Sequence, residues 1–359
     1  IDVLSQLDRG SWSCVFDAIR HDKKFNLTNI GFKDGDLANH LAASIHEYYN
    51  PQHPPDFYIT KMLEWHIIPD DIQELPCPTF AQTADYDIHI QIVSPWLNAF
   101  DELIIEHEWD DVAPLTRGAV TTYPKAYPLL ADALHTPLVN GDRNIDIFIS
   151  GTTFHPYHPD KALLLNSILE LEGLNTVFID GFLGTSIYLP LLSRTKICIT
   201  YIRRPGMPTR GLEALAMGCA VLVQENSSLL LYLKDGEGIF SYNEENLPQK
   251  INYILANWNA LKPGIDRAAA FVRSEFETSK VASQYFRFLT FLAAKPRQAR
   301  KLVPRENLVH KRLILLKGWL LKPEIYRSLR QTAVERLERF QAMGASSADY
   351  FIDAAREME

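Results

Sequence analysis

Apolar residues in the second half of the chain fall into short unbroken runs: IDIFIS (145–150), NTVFID (175–180), KICITYI (196–202) and CAVLVQ (219–224). Runs of that length predict strands buried on both faces, as in a parallel sheet. Between them lie DKALLLNSILELEG (160–173), SIYLPLLSR (186–194) and PTRGLEALAMG (208–218), whose apolar residues recur at helical spacing. SSLLLYL and ENLPQKINYILANW add helices on either side of the strand GIFSY, and the pattern from about residue 265 onward is helical. A strand and a helix recurring roughly every 25 to 30 residues predict a doubly wound α/β domain.

The first 140 residues carry a looser version of the same alternation. IDVLSQL reads as a strand, Gly10-Ser11 as a turn and Val15 to Ile19 as a helix; FNLTNIGF, DFYIT, PTFAQT, DIHIQIV and ELIIEHE read as strands. Pro, His and Tyr crowd residues 123–137, and Asn140-Gly141-Asp142 makes a turn. The domains read from the sequence are an N-terminal Rossmann-like domain over 1–141, a C-terminal Rossmann-like domain over 142–294 and a helical segment over 295–359 that returns to the N-terminal domain. Two such α/β domains facing a cleft would hold a ligand at the carboxyl ends of their strands. Neither first strand is followed by G-x-G-x-x-G, which disfavours a nicotinamide or flavin enzyme.

At 359 residues, with 47% hydrophobic and 22% charged positions, the chain has the composition of a globular protein with ample core. No run reaches the ~18 apolar residues of a membrane span, and residues 1–20 lack the order of a signal peptide. The chain begins with Ile1, which points to processing or a longer parent. Cys14, Cys77, Cys198 and Cys219 lie far apart, as reduced structural thiols in a cytoplasmic protein would. The net charge of −8 argues against nucleic acid as a partner. The charge is uneven, however: residues 295–330 hold eleven Lys or Arg against two Glu, so that segment is +9 and the remainder −17. Within it HKRLILLKGWLLK, with Trp319, reads either as a helix packed across an acidic domain or as a peripheral contact with an anionic membrane or a lipid-linked acceptor.

The helix PTRGLEALAMG concentrates the candidate chemistry. Pro208 suits a helix start and Gly218 a left-handed end. Arg210 and Glu213 share a face, and Gly211 offers close approach to the backbone. A lone carboxylate at a strand's carboxyl edge suits a ribose, since its two oxygens can accept from both hydroxyls; an ordinary helical ion pair with Arg210 is the alternative.

The wider string RRPGMPTRGLEALAMGCAVLVQENSSLL, followed by GIFSYNEENL, resembles the sugar-nucleotide domain of GT-B glycosyltransferases of the group 1 type, particularly the spore-maturation-like branch with an R-x-x-E-A-x-A-x-G core. The likeness runs from about Asn144 to Trp258. It implies that Glu213 holds the ribose of a nucleoside-diphosphate sugar, UDP-linked in preference to GDP-linked, with no metal or other cofactor. The group 1 pattern carries a second glutamate eight residues earlier; here that position is Pro205.

SGTTFHPYHPDKALLL brings Gly151, Thr152 and Thr153 to a helix opened by Pro159 and Asp160, where free N–H groups favour a diphosphate. Lys161 resembles the phosphate-contacting lysine of the family. Arg203 or Arg204, directly after a strand, would pair with the same diphosphate. His155, His158 and Asp160 could be read as metal ligands, but the two prolines already account for the stretch as a stiff loop. In the N-terminal half, Gly10 would approach the donor sugar and Asp8 a sugar or acceptor hydroxyl, while Asp85, His89 and His107 are candidate general bases. The catalytic candidates are thus Lys161, Asp8, Asp85 and His107. The reading is a glycosyltransferase acting on a glycan, lipid-linked or protein acceptor; a sugar-nucleotide epimerase and a non-catalytic sugar-nucleotide or glycan-binding protein are its rivals.

Overall fold

The computed structural model describes residues 1–7, 13–30, 44–61, 63, 68–69, 71–83, 96–106, 116, 119–123, 127–138, 143–151, 159–181, 183–203, 205–296 and 303. The chain divides into two compact units. The first comprises Ile1–Ile105, Trp109–Tyr123 and Phe286–Glu359, the second Glu106–Glu108 and Pro124–Tyr285.

In the first unit, β1 (Asp2–Gln6), β2 (Asn26–Asn29), β3 (Phe57–Lys61), β4 (Thr79–Gln82), β5 (Glu102–Ile105) and β6 (Ala119–Thr122) form one sheet in the order β2-β1-β3-β4-β5-β6. Every pairing is parallel, with Val3 opposite both Leu27 and Phe57. α1 (Ser13–Arg20) follows β1 and buries Val15, Phe16 and Ile19. Tyr58, Trp96, Leu97, Phe100 and Leu103 pack one face of the sheet. Pairing of β6 with β5 holds the chain in the first unit as far as Tyr123, and the second unit resumes at Pro124. β6 escapes a hydrophobic-pattern reading: AVTT is short and no residue in it is buried. DIHIQIV lies outside the described residues.

The second unit opens with the short helix α2 (Ala131–His135). Its sheet is built from β7 (Ile145–Ser150), β8 (Thr176–Ile179), β9 (Thr195–Ile199), β10 (Ala220–Gln224) and β11 (Ile239–Tyr242) in the order β11-β10-β9-β7-β8, all parallel. α3 (Pro159–Leu169), α4 (Thr185–Ser193) and α5 (Thr209–Ala216) follow the first three strands; α6 (Leu247–Ala256), α7 (Trp258–Glu275) and α8 (Thr278–Ala293) follow β11. Cover on both faces explains the apolar runs of β7, β9 and β10, whereas β8, at the sheet edge, has no buried residue and leaves Phe178 exposed. On one face, Ile147, Ile149, Ile197 and Leu222 meet Leu164, Leu165 and Ile168 of α3 and Leu247, Ile251 and Ile254 of α6. On the other, Phe148 meets the Tyr188 ring of α4 at 5.9 Å between centroids.

Arg143 secures the edge of this sheet where the strands begin. Its guanidinium is buried and donates to the carbonyls of Leu192 (3.1 Å), Thr195 and Met217 (2.7 Å), joining the ends of α4 and α5 to the start of β9. Gly218, at φ +76°, ends α5, and a Cβ there would meet the Arg143 guanidinium at 2.7 Å. α8 begins in the second unit, and from Phe286 onward its residues belong to the first, where Phe286 packs edge-on against Phe25 at 5.3 Å. Val303 exchanges two hydrogen bonds with Gln73 of the same unit. Among the described residues no helix is long and apolar enough to cross a membrane.

Candidate active site

The strand order of the second sheet fixes where a ligand can enter. β8 lies on one side of β7 and β9 on the other, so the connections leaving β7 and β9 diverge and open a crevice at the carboxyl ends of those two strands. Ser150 ends β7, Gly151 follows it, and the loop after β9 leads through residues 200–208 into α5.

Arg210, in the first turn of α5, reaches back across this opening and donates from its guanidinium to the Ser150 carbonyl at 2.6 Å. It lies directly over Gly151, where φ is +103° and a Cβ would overlap the guanidinium. The backbone conformation favours glycine there, and a side chain would also push the Arg210 guanidinium off its seat. Lys161, in the first turn of α3, is 7% exposed. Burial and the neighbouring Arg210 charge push its ammonium down to about 8, against the opposing pull of Asp180. It thus keeps its charge at neutral pH.

Glu213 sits one turn beyond Arg210 and is 9% exposed. Burial pushes its carboxyl up to about 7, although the Tyr188 hydroxyl and Arg210 both favour the ionised form. A carboxylate placed in this way is poorly hydrated and has acceptor capacity to offer. The sequence-predicted Gly151, Lys161, Arg210 and Glu213 come together here, from the ends of three different elements.

The other predicted residues divide. Thr152, Thr153, His155, His158 and Arg204 lie outside the described residues, as do Asp8, Gly10, Asp85, His89 and His107; of Asp160 only the backbone is described. Arg203 is half-buried just after β9. The loop that carries it is held by Tyr242, whose hydroxyl donates to the Thr200 carbonyl at 2.8 Å, and by the Ser228 N–H, which donates to the Gly206 carbonyl at 2.9 Å. Gly211 has a structural explanation: a Cβ there would meet a Leu229 methyl at 2.7 Å, so the close approach is by the core and not by a ligand. The basic stretch with Trp319 is outside the described residues apart from Lys295, Pro296 and Val303.

Two features were missed in the sequence. Tyr188 reads there as one more apolar position of a helix, yet its hydroxyl faces Glu213. In the first unit, Gln6, Thr60, Lys61, Gln82 and Thr83 are all buried at the carboxyl ends of β1, β3 and β4, and the Tyr58 hydroxyl donates to the Gln6 amide oxygen. A polar residue closing an apolar strand, as in DFYITK and TFAQT, is the signal that could have found that edge.

Residues 143–287, which contain the whole site, match the family described as glycosyl transferase-like. Among curated proteins none matches the sequence. Solved structures are similar over most of their length. A DNA-modifying β-glucosyltransferase, solved in the presence and absence of uridine diphosphoglucose, shares 11% identity at a TM-score of 0.54, over 80% of this chain and 99% of that one. Sucrose-phosphate synthase from Thermosynechococcus elongatus shares 13% at 0.52, over 81% and 98%. A UDP-forming α,α-trehalose-phosphate synthase from Burkholderia xenovorans shares 10% at 0.52, over 82% and 99%. Two parallel α/β sheets with these neighbours are the GT-B fold, and with the glycosyl transferase-like region over 143–287 they mark the chain as an enzyme of the glycosyltransferase class.

Proposed function

We propose that this glycosyltransferase takes its sugar from a UDP-linked donor held by the second unit and passes it to an acceptor hydroxyl, with Glu213 accepting hydrogen bonds from the donor ribose. The observation that carries the reading is the meeting of Glu213, Arg210, Lys161 and Gly151 at the crevice between β7 and β9. As the bond between the anomeric carbon and the diphosphate oxygen breaks, negative charge builds on the diphosphate. Lys161, Arg210 and the amino end of α3 stabilise it, with Thr152, Thr153 and one of Arg203 and Arg204 completing the cradle. The acceptor oxygen forms the new bond and loses its proton to a general base, for which the sequence offers Asp8, Asp85 and His107.

UDP is favoured because similar structures are named for UDP or its glucose ester. The cationic side chains can supply the counter-charge that a metal would, so we expect transfer to persist in chelator. The R-x-x-E-A-x-A-x-G string from Arg210 to Gly218 supports placement in the spore-maturation-like branch. None of the four cysteines is in a disulfide, which supports a reducing, cytoplasmic setting.

A panel of labelled UDP- and GDP-sugars tests the proposal. Slow hydrolysis of one UDP-sugar, or its transfer when acceptors are added, is the expected result; absence of affinity for any donor refutes it. Pro205, in place of the family's first glutamate, favours a second reading as a sugar-nucleotide-binding protein. Tight binding with neither hydrolysis nor transfer would select that reading.

A further inference from the structure

Tyr188 projects from α4 with its ring in the core against Phe148 and its hydroxyl shielded from water. Phenylalanine would pack equally well. The hydroxyl therefore brings a desolvation penalty that needs a purpose. It faces the Glu213 carboxyl closely enough for each group to feel the other's charge, yet no described acceptor meets it in hydrogen-bond geometry. The groups facing Glu213 are Arg210 on its own helix, Tyr188 on α4 and Cys198 on β9. The Cys198 thiol, held neutral by burial, is only a weak donor, which leaves Tyr188 as the stronger uncharged donor among these neighbours.

We propose that Tyr188 is a positioning residue for the donor: when the ribose binds, its hydroxyl donates to one oxygen of the Glu213 carboxylate and fixes that group, leaving lone pairs on both oxygens for the 2′ and 3′ hydroxyls. A carboxylate has about four acceptor sites, enough for two sugar hydroxyls and the tyrosine together. Phe148 and the α4 backbone hold the tyrosine ring, so the bond restrains the carboxylate without ordering a flexible partner. The hydroxyl also favours the ionised carboxyl, which is the form that accepts from both ribose hydroxyls.

The inference rests on Glu213 as ribose ligand, and the experiment separates the two. UDP affinity is measured by titration calorimetry from pH 6 to 8.5 for the wild-type chain, Tyr188→Phe and Glu213→Gln, with a UDP analogue lacking both ribose hydroxyls as the second ligand. Loss of the tyrosine hydroxyl raises the Glu213 pKa, so the acid-side midpoint of UDP affinity should move up by about one pH unit in Tyr188→Phe. At pH 8.5 the variant should bind within about threefold of wild type, and the dideoxy analogue should not distinguish the two. A uniform loss at every pH, or an unmoved midpoint while Glu213→Gln abolishes affinity, overturns the role of Tyr188. Undiminished UDP binding by Glu213→Gln overturns the ribose assignment itself.

Discussion

Replacing Glu213 by glutamine should stabilise the protein while destroying its donor site, and the size of the gain follows from the carboxyl's surroundings. Burial raises this carboxyl from the ordinary 4.5 to about 7. Between those values the folded chain retains a proton that the unfolded chain has released, so stability falls as pH rises through the window. The shift spans about 2.5 units, and at 1.36 kcal/mol per unit the loss at pH 8 is about 3 kcal/mol, an upper figure because relaxation and water entry reduce it. Glutamine keeps the shape and never ionises. The stability difference between Glu213→Gln and wild type should therefore be smallest near pH 4.5 and grow by up to about 3 kcal/mol by pH 8. Urea unfolding at pH 4.5, 6 and 8, with hydrogen exchange of the β7 and β10 amides to report the second unit, measures it. A difference that is flat across pH would show that Glu213 is not held in a poorly hydrated, proton-retaining position, and the reasoning would fail.

The remaining predictions concern the same unit. Affinity for UDP should rise as pH passes about 7, where Glu213 ionises, and decline above about 8, where Lys161 loses its charge; calorimetry across that range checks both limbs, and a flat profile contradicts them. Lys161→Met should lower turnover by about a hundredfold, since it removes one charge from the leaving diphosphate, as steady-state kinetics would show. Gly151→Ala should cost about 1–3 kcal/mol through its left-handed φ, besides the overlap with Arg210, and adding Arg210→Ala should recover the overlap but not the conformational part. Arg143→Met should destabilise by about 3 kcal/mol or more, because the Leu192, Thr195 and Met217 carbonyls lose a buried donor, with UDP affinity of the folded protein unchanged.

What could be read in the sequence is what local physics dictates. β7, β9 and β10 are legible because strands covered on both faces must be apolar throughout, and α5 because Pro208 and Gly218 punctuate it. β6 is not legible, since AVTT is half exposed and leaves no pattern. Glu213 and Lys161 could be singled out as residues, but their meeting depends on the order β8-β7-β9, which follows from chain crossovers and not from any run of residues. The seat of Arg210 on Ser150 and Gly151 joins positions 60 residues apart, and only the fold brings them together. Gly211 illustrates the converse: its spacing suggested room for a ligand, and the space holds Leu229. Tyr188 was hidden because an aromatic ring on a buried helix face looks like core, and the hydroxyl that matters is one atom at its end.

Anchoring of the donor ribose by Glu213, at the crevice between β7 and β9, is the step on which the proposed donor site depends. A crystal structure of the protein soaked with UDP tests it most directly. Both ribose hydroxyls should lie within about 3 Å of the Glu213 carboxylate oxygens, with the diphosphate against Gly151, Lys161 and Arg210. A nucleotide bound elsewhere, or a ribose turned away from Glu213, would contradict it.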